Sequence, residues 1–366
     1  MKSRSLGQLI LTGIPGLQLD SATAKLLRKV QPGAFILFGR NIESAPQLRK
    51  LIDDLRDLSP IEPIVTIDQE GGRVSRLRLI GQEPPSAQEL REKGDPLLVR
   101  QHGEITGRLL RLFGFNLDLC PVLDISFDDA ADNSLRGRCY GTNVDEVIRL
   151  AGAFNDALRE QGIASCGKHF PGYSAATVDA HHDLPLIARS RAQLDANELA
   201  VFRHFASQVD SMMICHGWYP CVEKEKTAAS LSRPIVSNLL RGELGFRGLI
   251  MTDDLDMGAI LNEYSFAETI GRAIGVGNDL AMICHRVPMI EEAAQILETL
   301  PAEEIDRALE SVARFKERLA PPDEFSLSAF AALNEQIWQL RVAVLGEERA
   351  ALSSPEDGKR SPVETY

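Results

Sequence analysis

Short apolar runs recur along this chain, separated by segments whose apolar residues fall three and four positions apart. The runs are Gln8–Thr12, Ala34–Phe38, Ile64–Ile67, Leu117–Leu123, Ile163–Cys166, Met212–Cys215, Leu249–Met251 and Leu280–Cys284. Between them, amphipathic stretches cover Ala45–Leu58, Leu97–Phe113, Val144–Gln161, Ala192–Ala206, Pro234–Leu244, Ser265–Val276 and Val287–Leu297. Continuous apolar runs suit strands buried on both faces, and the three-four spacing suits helices with one apolar face. Strands alternating with helices pair in parallel, and eight such units predict a single (β/α)8 barrel of the TIM type. The alternative is an open, doubly wound sheet. Its nucleotide-binding form needs GxGxxG after the first strand, which Gly13-Ile14-Pro15-Gly16 does not supply.

The same pattern sets the expected organisation. Further helical segments, Glu303–Leu319 and Ser328–Val344, follow the last apolar run, so residues 1–350 are expected to form one barrel domain with C-terminal helices. Residues 351–366 are polar, contain proline and lack periodicity, which predicts a disordered tail. The connections Ile80–Asp95 and Asp124–Gly141 read as long irregular loops of the kind that carry function.

Composition narrows the partners. The 366 residues are 44% hydrophobic and 25% charged, ordinary for a globular chain, with a net charge of −12. That balance argues against nucleic acid, whose phosphates demand concentrated Lys and Arg. No run approaches the roughly eighteen apolar residues of a membrane span. The basic start, Met1-Lys2-Ser3-Arg4, imitates a signal peptide, but Gly13, Pro15 and Gly16 break the apolar run behind it and no small-residue cleavage site follows. Six scattered cysteines, none with CxxC spacing, fit reduced thiols, and a cytoplasmic location is expected.

In a barrel of this type the chemistry lies at the C-terminal ends of the strands. Those ends carry Asp68 and Glu70, Asp124, Lys168 and His169, His216, and Asp253 with Asp254, while His285 follows the last strand. One carboxylate of the Asp253-Asp254 pair is expected to face the barrel mouth, the other to cap the following helix. Asp179 and His181 form a second pair, in which a carboxylate beside an imidazole fixes its tautomer and favours its charged form. Such an acid facing a carboxylate across a sugar ring would satisfy retaining glycoside hydrolysis. A metal site on Asp179, His181 and His182 is the rival reading of that loop. Lys168, His169, Arg138 and Asp68 offer directional hydrogen bonds to hydroxyls, or else form structural ion pairs. Trp218 and Tyr219 would either give a sugar an aromatic face or simply pack.

Six motifs in order carry a resemblance: Gly33-Ala34-Phe35-Ile36-Leu37-Phe38, Ile67-Asp68-Gln69-Glu70-Gly71-Gly72-Arg73-Val74, Pro121-Val122-Leu123-Asp124, Lys168-His169-Phe170-Pro171-Gly172, Asp179-x-His181, and Thr252-Asp253-Asp254-Leu255-x-Met257. Over roughly residues 5 to 300 the chain resembles family 3 glycoside hydrolases, in the bacterial β-N-acetylglucosaminidase (β-hexosaminidase) branch that works on cell-wall fragments. The resemblance implies Asp253 as nucleophile, His181 as general acid/base with Asp179 as its partner, and Asp68, Arg76, Arg138, Lys168 and His169 as holders of the N-acetylglucosamine ring. It implies a retaining exo-enzyme on peptidoglycan-derived muropeptides, a monomer without metal or cofactor, with the barrel carrying the whole site. Two rivals remain at this level: a phosphorylase on the same site, and a sugar-binding barrel without turnover. The chain departs from the pattern at Tyr173-Ser174, where the family usually reads His-Gly, and at Cys139. Loss of that glycine is expected to affect how the loop closes.

Overall fold

In the computed structural model, which describes residues 5–130, 133–176, 180, 182–352 and 354, eight strands form one parallel sheet. They are β1 (Ile10–Gly13), β2 (Ala34–Leu37), β3 (Ile64–Ile67), β4 (Leu117–Asp118), β5 (Ala164–Phe170), β6 (Ser211–Ile214), β7 (Leu249–Thr252) and β8 (Ala281–Ile283). Hydrogen-bonded neighbours run β8-β1-β2-β3-β4-β5-β6-β7. The ring closes where Met251 bridges Leu280: Thr252 N donates to Leu280 O at 3.2 Å, and Thr252 Oγ1 accepts from Met282 N at 3.1 Å. This is the (β/α)8 barrel that the alternation predicts. Every residue of β1, β2, β3, β6 and β7 is buried, as parallel strands covered on both faces require. No helix among the described residues is long and apolar enough to cross a membrane.

Differences from the expected elements have local causes. The expected strand Leu117–Leu123 is regular only as far as Asp118. Beyond it the chain still tracks β5, with Cys166 N donating to Cys120 O and Lys168 N to Pro121 O, but Pro121 has no N–H to give the ladder. The expected helix Ala192–Ala206 is two helices, Arg191–Ala196 and Glu198–Phe205, broken at Asn197, which adopts φ −120°, ψ −90°. Pro234–Glu243 is a π-helix. Ser21–Val30 is a helix outside the expected set, and Ala87–Lys93 is a helix inside the connection expected to be irregular. The latter opens on a capping box: Ser86 Oγ accepts from Glu89 N at 3.2 Å, and Glu89 Oε2 accepts from Ser86 N at 2.8 Å. It ends at Gly94 with φ 76°.

Three features fix the rim. After β3 the chain forms a short hairpin, Gln69–Gly71 with Val74–Ser75, turning through Gly71 (φ 105°) and Gly72 (φ 53°). A Cβ on Gly71 would sit 2.3 Å from Pro85 O, so only glycine fits this turn. The connection after β4 is tied to the hairpin by Arg73, whose guanidinium donates to Arg136 O and Ser134 O. The C-terminal helices Ala302–Lys316 and Leu327–Leu345 cover the outside, Lys316 Nζ reaching Gln8 Oε1 at 2.7 Å and Phe330 packing edge-on against Phe113.

Asn116, fully buried ahead of β4, staples two strands: its Oδ1 accepts from Val65 N at 2.8 Å and its Nδ2 donates to Pro63 O at 3.0 Å. Asn116→Leu leaves a buried amide and a carbonyl without partners, and is expected to lower the unfolding free energy by about 2–4 kcal/mol in urea titration, whereas a loss below about 0.5 kcal/mol would show the staple to be dispensable.

Candidate active site

The strand exits converge on a cavity at the C-terminal mouth of the barrel. Asp68, Arg76, Arg138, Lys168, His169 and Asp253 all line it, although they come from three strands' ends and two loops. Asp179 and His181 lie outside the described residues. Ala180, between them, borders the same cavity. Met213, Met257, Met282 and Phe38 add apolar lining to the same cavity.

A buried ion network occupies one side. Lys168, whose side chain is 1% exposed, places Nζ 2.7 Å from Asp68 Oδ1 and 2.6 Å from Glu70 Oε1. Arg138 grips the same Glu70 in a fork, Nη2 to Oε1 at 2.7 Å and Nε to Oε2 at 2.8 Å. Arg76 Nη2 stands 3.8 Å from the other oxygen of Asp68. Burial alone would push the Glu70 carboxyl up, but Arg138 and Lys168 outweigh it and hold the group well below the usual carboxylate range. Burial would likewise favour a neutral Lys168, and Asp68 and Glu70 reverse that, so the ammonium persists. Glu70 was legible only as a polar group at a strand exit. Its fork with Arg138 needs the fold.

His169 is oriented from behind. Its Nδ1 lies 2.7 Å from Asp124 Oδ2, which also accepts from the His169 amide at 3.1 Å. A carboxylate only accepts, so the proton sits on Nδ1 and Nε2 faces Arg138 Nη2, 3.5 Å away. The other oxygen of Asp124 takes the Tyr173 amide at 2.6 Å. Tyr173, the departure from the family pattern, is buried and lines the cavity, and its phenol oxygen accepts from Ala180 N at 2.9 Å. Ala180 O accepts in turn from Ala259 N at 2.9 Å. Neither Trp218 nor Tyr219 borders the cavity: Trp218 Nε1 donates to Glu223 O, and the fully buried Tyr219 hydroxyl donates to Gly172 O at 2.7 Å. Both pack.

The adjacent acids after β7 separate clearly. Asp253 is half-buried, and its Oδ1 accepts from the Asp254 amide at 2.8 Å. Asp254 also borders the cavity, but its Oδ1 accepts from Asp256 N at 3.0 Å and Cys284 N at 3.3 Å, and its Oδ2 stands 3.4 Å from His285 Nε2. Asp254 therefore braces two backbone segments and does not cap the following helix Gly258–Leu261, which has no side-chain cap.

Beneath the ion network lies Asp118, fully buried, with Oδ1 accepting from Gln69 N at 3.1 Å and no hydrogen-bond partner for Oδ2 among the described residues. Burial pushes this carboxyl up to about 8, against the pull of the Gln69 amide and Lys168. Its proton is held more tightly in the folded chain than in the unfolded one, where the ordinary value is 3.8. Its contribution to stability is therefore complete below about pH 4 and is lost as pH rises toward about 8. Glu70, held low, works the other way and loses its contribution in acid. Asp118→Asn, which mimics the neutral acid, is expected to flatten the decline in urea midpoint between pH 5 and about 8, raising it at the alkaline end; an unchanged decline would mean that Asp118 is ionised throughout.

Comparison with known proteins identifies the family. The model of the glycosyl hydrolase family 3 N-terminal domain matches residues 3–315. A β-hexosaminidase of Pseudomonas aeruginosa is 32% identical over 295 residues, covering 80% of this chain and 87% of the relative. A β-hexosaminidase of Vibrio cholerae is 31% identical over 329 residues, covering 89% and 93%. Among solved structures, a family 3 β-N-acetylglucosaminidase from Paenibacillus sp. superposes with a TM-score of 0.84 at 31% identity, over 94% of this chain and 69% of that one. A family match spanning the barrel, together with relatives of this identity, makes the chain a member of glycosyl hydrolase family 3.

Proposed function

We infer that the chain is a retaining exo-β-N-acetylglucosaminidase working by double displacement. The observation that carries this reading is the shared cavity, where the Asp253 carboxylate, tied by one oxygen to a backbone amide, faces a fixed set of cations and carboxylates. The names of the relatives, β-hexosaminidase and β-N-acetylglucosaminidase, support the sugar.

In the first step Asp253 attacks the anomeric carbon while the bond to the aglycone oxygen breaks, and that oxygen takes a proton from His181, which Asp179 orients. In the second, neutral His181 removes a proton from water, the oxygen of which attacks the same carbon and releases Asp253. Two inversions give net retention. Asp68, Arg76, Arg138, Lys168 and His169 hold the ring hydroxyls with donors and acceptors already in place, so little reorganisation accompanies the reaction. The substrate in this reading is terminal N-acetylglucosamine on peptidoglycan-derived muropeptides, met in the cytoplasm by a monomer that needs neither metal nor cofactor. The catalytic unit spans residues 1–350.

Asp253→Ala should lower turnover of the 4-nitrophenyl β-N-acetylglucosaminide by on the order of 10⁴-fold in the presence of chelator. Turnover near the wild-type rate would sink the nucleophile assignment, and chelator-sensitive wild type would favour the metal reading of the loop. For His181→Ala, kcat/KM should fall far more on an alkyl or disaccharide aglycone than on 4-nitrophenol, because a good leaving group needs little acid assistance. Equal losses on both would remove His181 as the acid. Nuclear magnetic resonance of the first-formed sugar in phosphate buffer reads the outcome of the second step: free β-anomer is expected, and sugar 1-phosphate would identify a phosphorylase instead.

A further inference from the structure

His216 follows β6 by two residues and is completely buried at the cavity floor, yet the roles above do not use it. Its Nε2 lies 2.8 Å from the Asp254 carbonyl oxygen, and its Nδ1 lies 2.8 Å from Ser230 Oγ. A carbonyl only accepts, so Nε2 carries a proton, and Nδ1 is left to meet the Ser230 hydroxyl. Ser230 is itself fixed, its amide donating to Cys215 O at 3.1 Å and its carbonyl accepting from Asn278 Nδ2 at 2.8 Å. The imidazole is thus a strut between the end of β6 and the turn after β7.

What the strut holds is Asp254, on one of several sides. Its carboxylate is bound by the amides of Asp256 and Cys284 and abuts His285, whose Nδ1 lies 3.1 Å from Arg40 Nη1. His216 takes the remaining handle, the carbonyl. With carbonyl and carboxylate both gripped, the Asp254 N–H has a fixed direction, and it points at Asp253 Oδ1.

We propose that His216 is a positioning residue for Asp253: by holding Asp254 it fixes the amide that ties down one oxygen of the neighbouring carboxylate and so sets the plane from which that carboxylate attacks. This role rests on Asp253 being the nucleophile. An attacking group displaced by a fraction of an ångström loses rate without losing substrate affinity, because the sugar is held by other residues.

The test compares His216→Leu, which removes both ring nitrogens at similar bulk, with His216→Gln, which keeps a donor able to reach the carbonyl. His216→Leu should lower kcat for the 4-nitrophenyl substrate about 100-fold while the calorimetric affinity for N-acetylglucosamine changes less than about threefold, and His216→Gln should recover all but about tenfold of the rate. Ser230→Ala, which leaves the imidazole in place but unlatched, carries the same reading should the leucine variant fold poorly. Undiminished kcat in these variants overturns the role. So does weakened sugar binding at unchanged kcat, which would make His216 a sugar contact. Asp253→Ala assayed alongside separates the two levels. If it turns over like wild type, the nucleophile assignment fails and takes this role with it. If it is inactive while His216→Leu is unimpaired, this role alone fails.

Discussion

A lysine ammonium with almost no exposure to water is the constraint on which this site depends. Lys168 reaches from the middle of β5 to two carboxylates at the exit of β3, and one of those is forked by Arg138 from a distant loop. Desolvating such charges costs several kcal/mol per ion, and removing one partner of a buried pair typically costs about 3–5 kcal/mol, since the remaining charge is stranded. The groups therefore stand or fall together. A strand, a hairpin and a long loop are held in one arrangement by a network that a hydrophobic core of equal volume would not orient.

That arrangement pre-orders polar groups toward an empty space. In water, a set of cations and carboxylates would turn to follow any hydroxyl that arrived. Here Glu70 and Asp124 stand behind Arg138 and His169 and fix their remaining hydrogen-bonding directions. The departure at Tyr173-Ser174 belongs to the same logic. Loss of a glycine suggested altered freedom in the loop, but Gly172 retains the left-handed conformation at φ 120°, and Tyr173 adds a phenol that receives the Ala180 amide. Tyr173 thereby ties this turn to Ala180 through a side chain.

The barrel was legible because its strands are buried on both faces and therefore read as unbroken apolar runs, while its helices keep one apolar face. Legibility failed where a single residue overrides the pattern: Pro121 withholds a ladder donor, and Asn197 breaks a stretch whose periodicity continues through it. The helix Ala87–Lys93 is a different case, since Ser86 and Glu89 spell a capping box and Gly94 a stop, signals present in the sequence but hidden within a connection too short for clear periodicity. For the site, the alternation of strand and helix identified which groups stand at strand exits. It could not say that Glu70 and Arg138 form a fork, that Asp124 stands behind His169, or that Trp218 and Tyr219 turn away, because those are distances between residues far apart in the chain.

The two acids after β7 show how position, rather than residue type, divides labour. Both are aspartates, one peptide bond apart, at the same strand exit, and sequence alone expects one to face the mouth and the other to cap the following helix. In the fold, Asp254 Oδ1 accepts from two backbone amides and its Oδ2 stands near the His285 imidazole, while Asp253 Oδ1 accepts from the amide of that same neighbour. A carboxylate whose one oxygen is bound by backbone amides from two separate segments is a rigid support. The pairing is then cooperative: the acid bound to the backbone fixes the direction of the amide that its neighbour's carboxylate accepts, so two adjacent aspartates of identical chemistry take different places in the fold.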